Sequence, residues 1–571
     1  MARPKSLSAP AFGPFMKRVE ACLDRLSHDE LKRRLRDHAE TLSFNEREAF
    51  LELFEEEPEA PGSVAENLLE QVDELVSDLE SGAYYDGWGW DSELREERPY
   101  GDESWAPTMD SLFAEAAKAF LAKNWSLAAQ AYGPLLGTFE LEEAFSGSAY
   151  PEQMLDTDLV EARQRYLRAV YEAAPPAERV KALVQAIADL EDRGWPEFSL
   201  QALEETTGTP LPGLDRFLPS WVEELESLTV EPSYLDRYRA NALAEAVVRH
   251  GGIEGLAKLA RGHGDRHPEF YDRWLAELVR ADRLEEALAA ASEGMERVVD
   301  GPASATLADR AASLAERMRR PDLVKRARRW AWRRSPTEER FLRLQPTTDD
   351  PTGHRLACEE IEAAGRGELE LPNPLRFRLK LLADDLKTLV AETAKAQPVG
   401  WSYGWTLGSV TVPFLLVGAS GAGPVPEGTM LAHLWDEVVT GTLRRERGWL
   451  GGALQPDAQS KPVEEVDLTW APLVRAAIAR TMAHPADRTK ALEGARKAVE
   501  KRIEAIVSGG HRNAYARAAV LAVAVGEAMN LGGDRDEANA WLVGVRATYP
   551  RHSAFKRELD DAKRQSPLLK A

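Results

Sequence analysis

Nine basic residues crowd one short segment of the chain, residues 317–334, and two tryptophans lie among them. The basic residues are Arg317, Arg319, Arg320, Lys325, Arg326, Arg328, Arg329, Arg333 and Arg334. Guanidinium groups bind carboxylates and phosphates through paired hydrogen bonds, and aromatic planes stack on nucleic-acid bases. The segment therefore indicates a solvated helix whose Trp330 and Trp332 pack between hairpins, a surface that binds an acidic protein segment, or a contact with nucleic acid.

The charge of the whole chain decides which partner is expected. Its 571 residues carry a net charge of −23, and residues 51–110 hold 19 Asp and Glu against two Arg. That acidic segment is either a solvated face or a surface for a basic partner, and it repels phosphate backbones. We therefore expect a protein or peptide partner and consider nucleic acid unlikely. The candidate partner-binding residues are Arg319, Arg320, Arg326, Arg329 and Arg333.

Two histidines stand at a spacing that metal sites use. His263 and His267 are four residues apart with Asp265 between them, which would place both imidazoles on one face of a helix. Glycines beside His263 and a proline after His267 favour a turn instead, and no third ligand stands nearby. We expect no metal here.

No catalytic constellation is present in the sequence. The glycine stretch 418–423 lacks the lysine of a phosphate-binding loop, and neither His-Glu-x-x-His nor Gly-x-Ser-x-Gly occurs. The match of residues 553–556 to Ser-x-x-Lys has no companion motif. The chain is therefore expected to be no enzyme and to hold no cofactor.

Cysteine usage and hydropathy predict the compartment. Cys22 and Cys358 are far apart in sequence, which does not favour a disulfide framework and fits a reducing compartment. The first 15 residues lack the apolar core of a secretory signal, and the longest apolar run, 410–417, is too short to span a bilayer. We expect a cytoplasmic protein with no membrane partner.

A helical hairpin is the clearest structural signal. In residues 109–136, small Ala117 and Ala128 stand where two helices must touch, and three aromatics wedge the contact: Phe120, Trp125 and Tyr132. Near the C-terminus the second-helix part of the pattern returns, with Ala538, Leu542, Val545 and Pro550.

This spacing resembles that of tetratricopeptide repeats. Residues 514–562 also resemble the helical-repeat tails of bacterial SWIM-type zinc-finger proteins, although the cysteines and histidine of the finger are absent. The resemblance implies a helical platform of the kind found in bacterial regulatory or conflict-related proteins, and it transfers no catalytic residue. The predicted fold is all-α: a tetratricopeptide-like helical-hairpin superhelix with a small N-terminal helical domain.

Turn residues divide the chain into five predicted parts. Residues 1–82 form an acidic helical domain, 83–107 an aromatic ordered loop, and 108–396 a degenerate repeat array; a Trp/Gly/Pro-rich connection (397–428) and a C-terminal repeat region (429–571) follow. The six aromatics of 83–107 are either anchors of the loop or a binding patch. The apolar run 410–417 fits a strand or a short helix, and the absence of a second strand nearby favours the helix.

The predicted function is non-enzymatic: a scaffold or regulator that binds a protein or peptide on its helical surface. One alternative is a regulatory switch or protease substrate, in a bacterial regulatory or defence system, that is cut or opened near 418–428, where glycine and proline prevent a helix. The other alternative is a nucleic-acid-associated factor that uses the Arg-rich hairpin 317–334.

Overall fold

The protein is described here from a computed structural model. The described residues are 18–41 (except 20), 50, 61–92, 96–140, 145, 151–191, 198–228, 236–344, 350–395, 406–440 (except 422) and 469–570. The chain divides into two compact units, Met1–Arg283 and Leu284–Ala571. Helices dominate the described part of each unit, which confirms the all-α fold class.

The first unit is built mainly from successive antiparallel helices. They are α1 (His28–Thr41), α2 (Pro61–Glu80), α3 (Trp105–Leu121), α4 (Trp125–Gly137), α5 (Leu159–Ala173), α6 (Arg179–Glu191), α7 (Leu200–Glu205), α8 (Leu214–Leu228), α9 (Asp236–His263) and α10 (Glu269–Arg280). Most consecutive members of the series pack on each other, as α3 does on α4 and α4 on α5, whereas α7 packs on α5 and α9. Each helix thereby buries an apolar stripe that it cannot bury alone.

The predicted hairpin 109–136 is α3 followed by α4. Ala128 has no exposed surface, and the Phe120 and Trp125 rings meet edge to face with centroids 5.1 Å apart. On α3 the fully buried small residue is Ala116, whereas Ala117 is only half-buried. The close contact therefore lies one residue earlier in α3 than the spacing predicted.

Residues 83–107 differ from the predicted loop. β1 (Tyr85–Asp91) pairs antiparallel with β2 (Glu96–Gly101), so that Trp88 lies opposite Pro99. Both strands of a two-stranded sheet are edge strands, the position where a sheet accommodates a proline such as Pro99. The ordered loop predicted for this segment is thus a β-hairpin that leads into α3.

The adjacent glycines Gly251 and Gly252 lie at a kink inside α9. Gly252 has φ +60° and ψ −155°, a backbone conformation that residues with a Cβ rarely adopt. The two halves of α9 therefore change direction at this glycine.

The second unit contains a longer series of helices. They are α11 (Leu284–Arg297), α12 (Gly301–Arg317), α13 (Pro321–Arg334), α14 (Glu338–Leu344), α15 (Asp350–Gly365), α16 (Asn373–Ala383), α17 (Leu386–Lys395), α18 (Leu407–Ala419), α19 (Met430–Thr440), α20 (Ala471–Thr481), α21 (Pro485–Ser508), α22 (Tyr515–Leu531), α23 (Arg535–Thr548) and α24 (Ser553–Gln565). Helices α12 and α13 form a long hairpin, and α22 packs on α21, α23 and α24.

The apolar run 410–417 is helical, as predicted, and forms the middle of α18. Its side chains are buried, and α18 packs on α16 and α17, which precede it, and on α19, α20, α21 and α22, which follow it within the second unit. Because this contact joins helices on both sides of residues 397–428, the described part of that segment does not divide the unit. The two compact units meet in the sequence at residues 283–284.

Candidate partner-binding site

The Arg-rich segment forms the turn after α12 and the whole of α13. Pro321 occupies the first turn of α13, where its missing N–H group leaves no bond unmade, and Asp322 lies beside it near the positive end of the helix dipole. Arg319 adopts φ +57° in the turn and Arg320 precedes the helix. The segment thus places its basic side chains on one helical hairpin, as predicted.

Three of the five candidate arginines hold carboxylates of the same unit. Arg329 lies 2.8 Å and Arg333 lies 3.2 Å from the carboxylate of Glu360, which has no exposed surface. Arg326 lies 2.6 Å from Glu296 on α11. These guanidinium groups join neighbouring helices, so their loss would affect the fold as well as any partner.

The tryptophans of this segment pack between helices. The Trp330 indole N–H donates to Ser304 Oγ at 2.9 Å. Trp332 has no exposed surface and contacts the Phe341 ring, with centroids 5.5 Å apart. This is the packing arrangement that the sequence left open beside the two binding alternatives.

Arg319 and Arg320 are the two candidate residues that stay exposed and have no ion-pair partner among the described residues. Two adjacent guanidinium groups on a turn fit a carboxylate-bearing surface. They are therefore the part of the predicted site that is open to a partner.

The histidine pair is not brought together as a metal site. His263 ends α9, whereas His267 is buried in the turn that follows, 3.3 Å from a carboxylate oxygen of Glu269 and packed on Phe270. Across the residues that the structure describes, no group of three His, Cys, Asp or Glu side chains is arranged to hold a metal ion.

Cys358 lies beside a histidine that the sequence did not connect with it. Its Sγ is 3.8 Å from His354 Nδ1, but that nitrogen also lies 2.8 Å from the Leu382 carbonyl oxygen. Burial raises the pKa of the Cys358 thiol, which disfavours the thiolate. The pair lacks the electrostatics of an activated nucleophile.

The predicted Gly/Pro-rich segment 418–428 is not a loop over its whole length, because its first two residues are helical. Gly418 and Ala419 belong to α18, and a Cβ atom on Gly418 would stand 2.1 Å from Met482 Sδ. The described exposed residues of the segment begin at Gly421.

A groove between α21 and α23 was not found by the sequence reasoning. Its volume is about 830 Å³. Ile503, Trp541 and Val545 supply a mostly buried apolar floor. The polar part of the lining includes Arg496, Glu500, Glu504, Ser508, Glu537, Thr548, Tyr549, Arg551 and His552.

The turn between α22 and α23 fixes the start of one wall of this groove. Gly533, at φ +96°, ends α22, and the Asp534 carboxylate then accepts a hydrogen bond from the Glu537 amide at 3.0 Å, which fixes the start of α23. Since short turns flank α22, it runs antiparallel to both neighbours, and α21 and α23 run in the same direction.

Arg496 closes one end of the groove. Its guanidinium lies 3.2 Å from Glu500 on its own helix, 3.7 Å from Glu537 on α23, and 5.4 Å from the centroid of the Trp541 ring. The Trp541 indole N–H donates to the Ala522 carbonyl oxygen at 2.9 Å. These contacts hold the floor and both walls together.

Tyr549 lies toward the other end, near the carboxylates of Glu500 and Glu504. Burial raises the pKa of its hydroxyl, and the negative charges of Glu504 and Glu500 raise it further. The Tyr549 ring meets His552 and Phe555 edge to face. The hydroxyl therefore stays protonated at neutral pH beside two carboxylates.

A periodic signal for this groove does exist in the sequence. Residues 496, 500, 504 and 508 recur every four positions on α21, and 537, 541, 544 and 548 recur at intervals of three or four on α23. Such spacing places each set on one helix face. The tetratricopeptide-like pattern contains Ala538 and Leu542, which are buried, and also Val545 and Pro550, which line the groove.

No protein-family model matches the chain, and no curated protein matches it either. Among the described residues, no helix is both long enough and apolar enough to cross a membrane.

Proposed function

We propose that this chain is a non-enzymatic interaction module that holds a protein or peptide segment in the groove between α21 and α23. The observation that carries the proposal is an open groove with an apolar floor of Trp541 and Val545 and a rim of charged side chains. An apolar centre with a polar rim is the arrangement of peptide-binding surfaces.

The dimensions of the groove favour an extended chain. From Arg496 to Ser508 the wall formed by α21 is about 18 Å long, at 1.5 Å per helical residue. An extended peptide advances by about 3.4 Å per residue, so this length fits roughly five residues. The Trp541 ring is fixed from behind by its hydrogen bond to α22, which keeps the floor in place before a ligand arrives.

A substitution that fills the groove tests the proposal. Gly544 lies on the groove face of α23, and a Cβ atom added there meets no atom within 4 Å. Gly544→Trp should fold normally and block the groove. Val543→Trp is the control, because Val543 is 66% exposed on the same helix and outside the groove lining.

The two variants and the unaltered chain are used as baits in extracts of the encoding organism, with quantitative mass spectrometry. We expect at least one captured protein to be lost with Gly544→Trp and retained with Val543→Trp. Identical captures from all three baits would contradict a role of the groove.

The turn that carries Arg319 and Arg320 is a second surface, and its charge suits the acidic protein partner predicted from the sequence. Arg319 and Arg320 are exposed and without an ion pair among the described residues, unlike Arg326, Arg329 and Arg333. We propose that an acidic protein segment binds this pair. Replacing both arginines with Glu should abolish capture of the acidic protein while leaving the melting temperature unchanged. Unchanged capture would show that Arg319 and Arg320 are not its binding surface.

A further inference from the structure

The β-hairpin of β1 and β2 carries the exposed aromatic side chains of the part of the chain that the structure describes. Trp88 is 58%, Trp90 is 62% and Tyr100 is 39% exposed, whereas every other described Trp, Tyr or Phe is buried or half-buried. Large apolar side chains that are exposed next to one another often mark an interaction surface. The hairpin is therefore a candidate surface that is separate from the groove.

The register of the hairpin places both tryptophans on the same face. Trp88 and Trp90 are two residues apart on β1, and Trp90 lies opposite Glu97 on β2. Alternate residues of a strand, and residues directly opposite each other on paired strands, share a face of the sheet. Trp88, Trp90 and Glu97 together therefore form one face, called here the tryptophan face.

The other face of the hairpin carries Tyr100. A Cβ atom added to Gly89 would stand 2.8 Å from the Tyr100 ring, so the ring lies directly against the glycine backbone. A residue without a Cβ atom permits this close approach. The Tyr100 ring thus packs on the hairpin itself, whereas the tryptophan face is open.

The tryptophan face has no partner among the described residues. Neither indole ring has a hydrogen bond, a ring contact or a cation–π contact there, and the exposed Glu97 carboxylate has no ion pair. Guanidinium and ammonium groups bind the face of a Trp ring, and they also form charge-assisted hydrogen bonds with carboxylates. A cationic group is therefore the ligand that suits all three side chains.

The charge of the hairpin favours the same kind of ligand. Residues 84–104 contain seven Asp and Glu and two Arg. One of these arginines, Arg98, lies opposite Gly89 in the register and not opposite a tryptophan. The excess of negative charge repels the phosphates of nucleic acids and attracts a basic segment.

The negative charge extends to the base of the hairpin, where Tyr84 precedes β1. Burial raises the pKa of the Tyr84 hydroxyl, and the negative charges of Asp78, Asp102 and Glu74 raise it further. Asp78 and Glu74 belong to α2, so the helix beside the hairpin adds to its negative potential.

We propose that the tryptophan face binds an extended peptide segment of a partner protein that carries basic residues at alternate positions. Positions 88 and 90 are about 7 Å apart along β1, and alternate residues of an extended peptide have the same spacing. Two such side chains can each reach one indole ring, and one of them also reaches Glu97 opposite Trp90. Arginine suits this arrangement best, because its planar guanidinium group stacks on aromatic rings and binds carboxylates.

The test uses the full chain and a randomised library of 12-residue peptides. Binders of the unaltered protein are collected, and those that also bind the double variant Trp88→Ala, Trp90→Ala are removed. We expect Arg and Lys to be enriched at alternate positions in the remaining peptides, and Asp and Glu to be depleted. Enrichment of proline without basic residues would overturn the proposal in favour of a polyproline ligand. A library that yields no tryptophan-dependent peptide would overturn the surface itself.

Single variants then measure each contribution to the affinity of the strongest binders. Trp88→Ala and Trp90→Ala should each lower the affinity about two- to fivefold, and Glu97→Gln should lower it by a similar factor. Equal affinities of Glu97→Gln and the unaltered chain would contradict the cationic ligand. Because Glu97→Gln leaves both tryptophans in place, this measurement does not depend on the folding of the tryptophan variants.

Three control variants should leave every affinity unchanged. Leu121→Ala removes an apolar side chain that is 53% exposed on α3, and Glu285→Gln removes an exposed carboxylate of α11 that has no ion pair among the described residues. Gly544→Trp blocks the groove between α21 and α23. Loss of binding with Gly544→Trp would assign the peptides to the groove and overturn the tryptophan face.

Discussion

Arg378 and Glu338 form an ion pair in the interior of the second unit. Arg378 has no exposed surface and Glu338 is 4% exposed. Arg378 Nε also donates to the Val438 carbonyl oxygen at 2.9 Å, and the Trp470 indole N–H donates to the second oxygen of Glu338 at 3.3 Å. The pair therefore ties the starts of α14 and α20 to α16 and α19.

Breaking this pair from one side should cost far more stability than breaking an exposed pair. Glu338→Gln leaves a buried guanidinium uncompensated, and the free energy of unfolding should fall by about 3–5 kcal/mol. Glu339→Gln is the control, because its ion pair with Arg343 is exposed and contributes about 0.2–1 kcal/mol. Urea denaturation of both variants measures the difference, and equal losses would mean that the interior pair is not structurally important.

Gly418 should not tolerate a methyl group. An added Cβ atom would stand 2.1 Å from the Sδ atom of the buried Met482, so Gly418→Ala should destabilise by about 1–3 kcal/mol through overpacking. Gly423→Ala serves as the control, since nothing lies within 4 Å of its Cβ position. A melting temperature of Gly418→Ala that matches the control would show that the Met482 side chain moves aside without a cost in stability.

Glu527 should make stability depend on pH. It has no exposed surface, and burial raises its pKa above the ordinary value of 4.5, although the Leu431 and Met430 amides donate to it at 2.8 and 3.2 Å and oppose the rise. The folded state therefore holds this proton more tightly than the unfolded state. Its contribution to stability is complete below pH 4.5 and is lost as pH rises through the folded pKa.

The variant Glu527→Gln removes that titration. Its stability relative to the unaltered chain should therefore improve as the pH is raised from 4.5. Denaturation curves of both proteins, recorded from pH 4.5 upwards, measure the difference in the free energy of unfolding. A stability difference that stays constant with pH would show that Glu527 has the same pKa in the folded and unfolded states.

The exposed tryptophans of the β-hairpin should contribute little to folding. Trp88 is 58% and Trp90 is 62% exposed, whereas Trp105 has no exposed surface. Replacing Trp88 and Trp90 together by Ala should shift the free energy of unfolding by less than about 0.5 kcal/mol, while Trp105→Ala should cost about 3–5 kcal/mol. A large loss in the double variant would indicate that the hairpin is covered in the folded protein.

Local signals in the sequence account for most of the helices. Ser27 stands three residues before Glu30, the spacing of a helix cap, and its hydroxyl accepts a hydrogen bond from the Glu30 amide at 3.3 Å. The kink at Gly252 lies at a pair of adjacent glycines, which favour a break in a helix. The β-hairpin was missed because its glycines and proline suggested a loop. Its one local signal is the alternation of Gly87, Trp88, Gly89 and Trp90, and pairing with β2 depends on residues across the turn.

The sites were less predictable than the helices. The ion pairs of Arg329 and Arg333 with Glu360 depend on how α15 packs against α13, because Glu360 lies about thirty residues later in the chain. The composition of 317–334 therefore indicated a possible binding surface, whereas several of its arginines are paired with carboxylates of the same unit. The α21–α23 groove likewise needs the direction of α22 between its walls, which no single-helix pattern contains.

Site-specific photocrosslinking shows whether a partner contacts the groove between α21 and α23. A benzophenone amino acid is introduced in place of Ala540, which lines the groove, or of Val543, which is exposed on the same helix outside it. After irradiation in cells of the encoding organism, we expect a discrete protein adduct at position 540 and none at 543. Adducts at both positions in equal amount, or none at position 540, would contradict the groove as the binding surface.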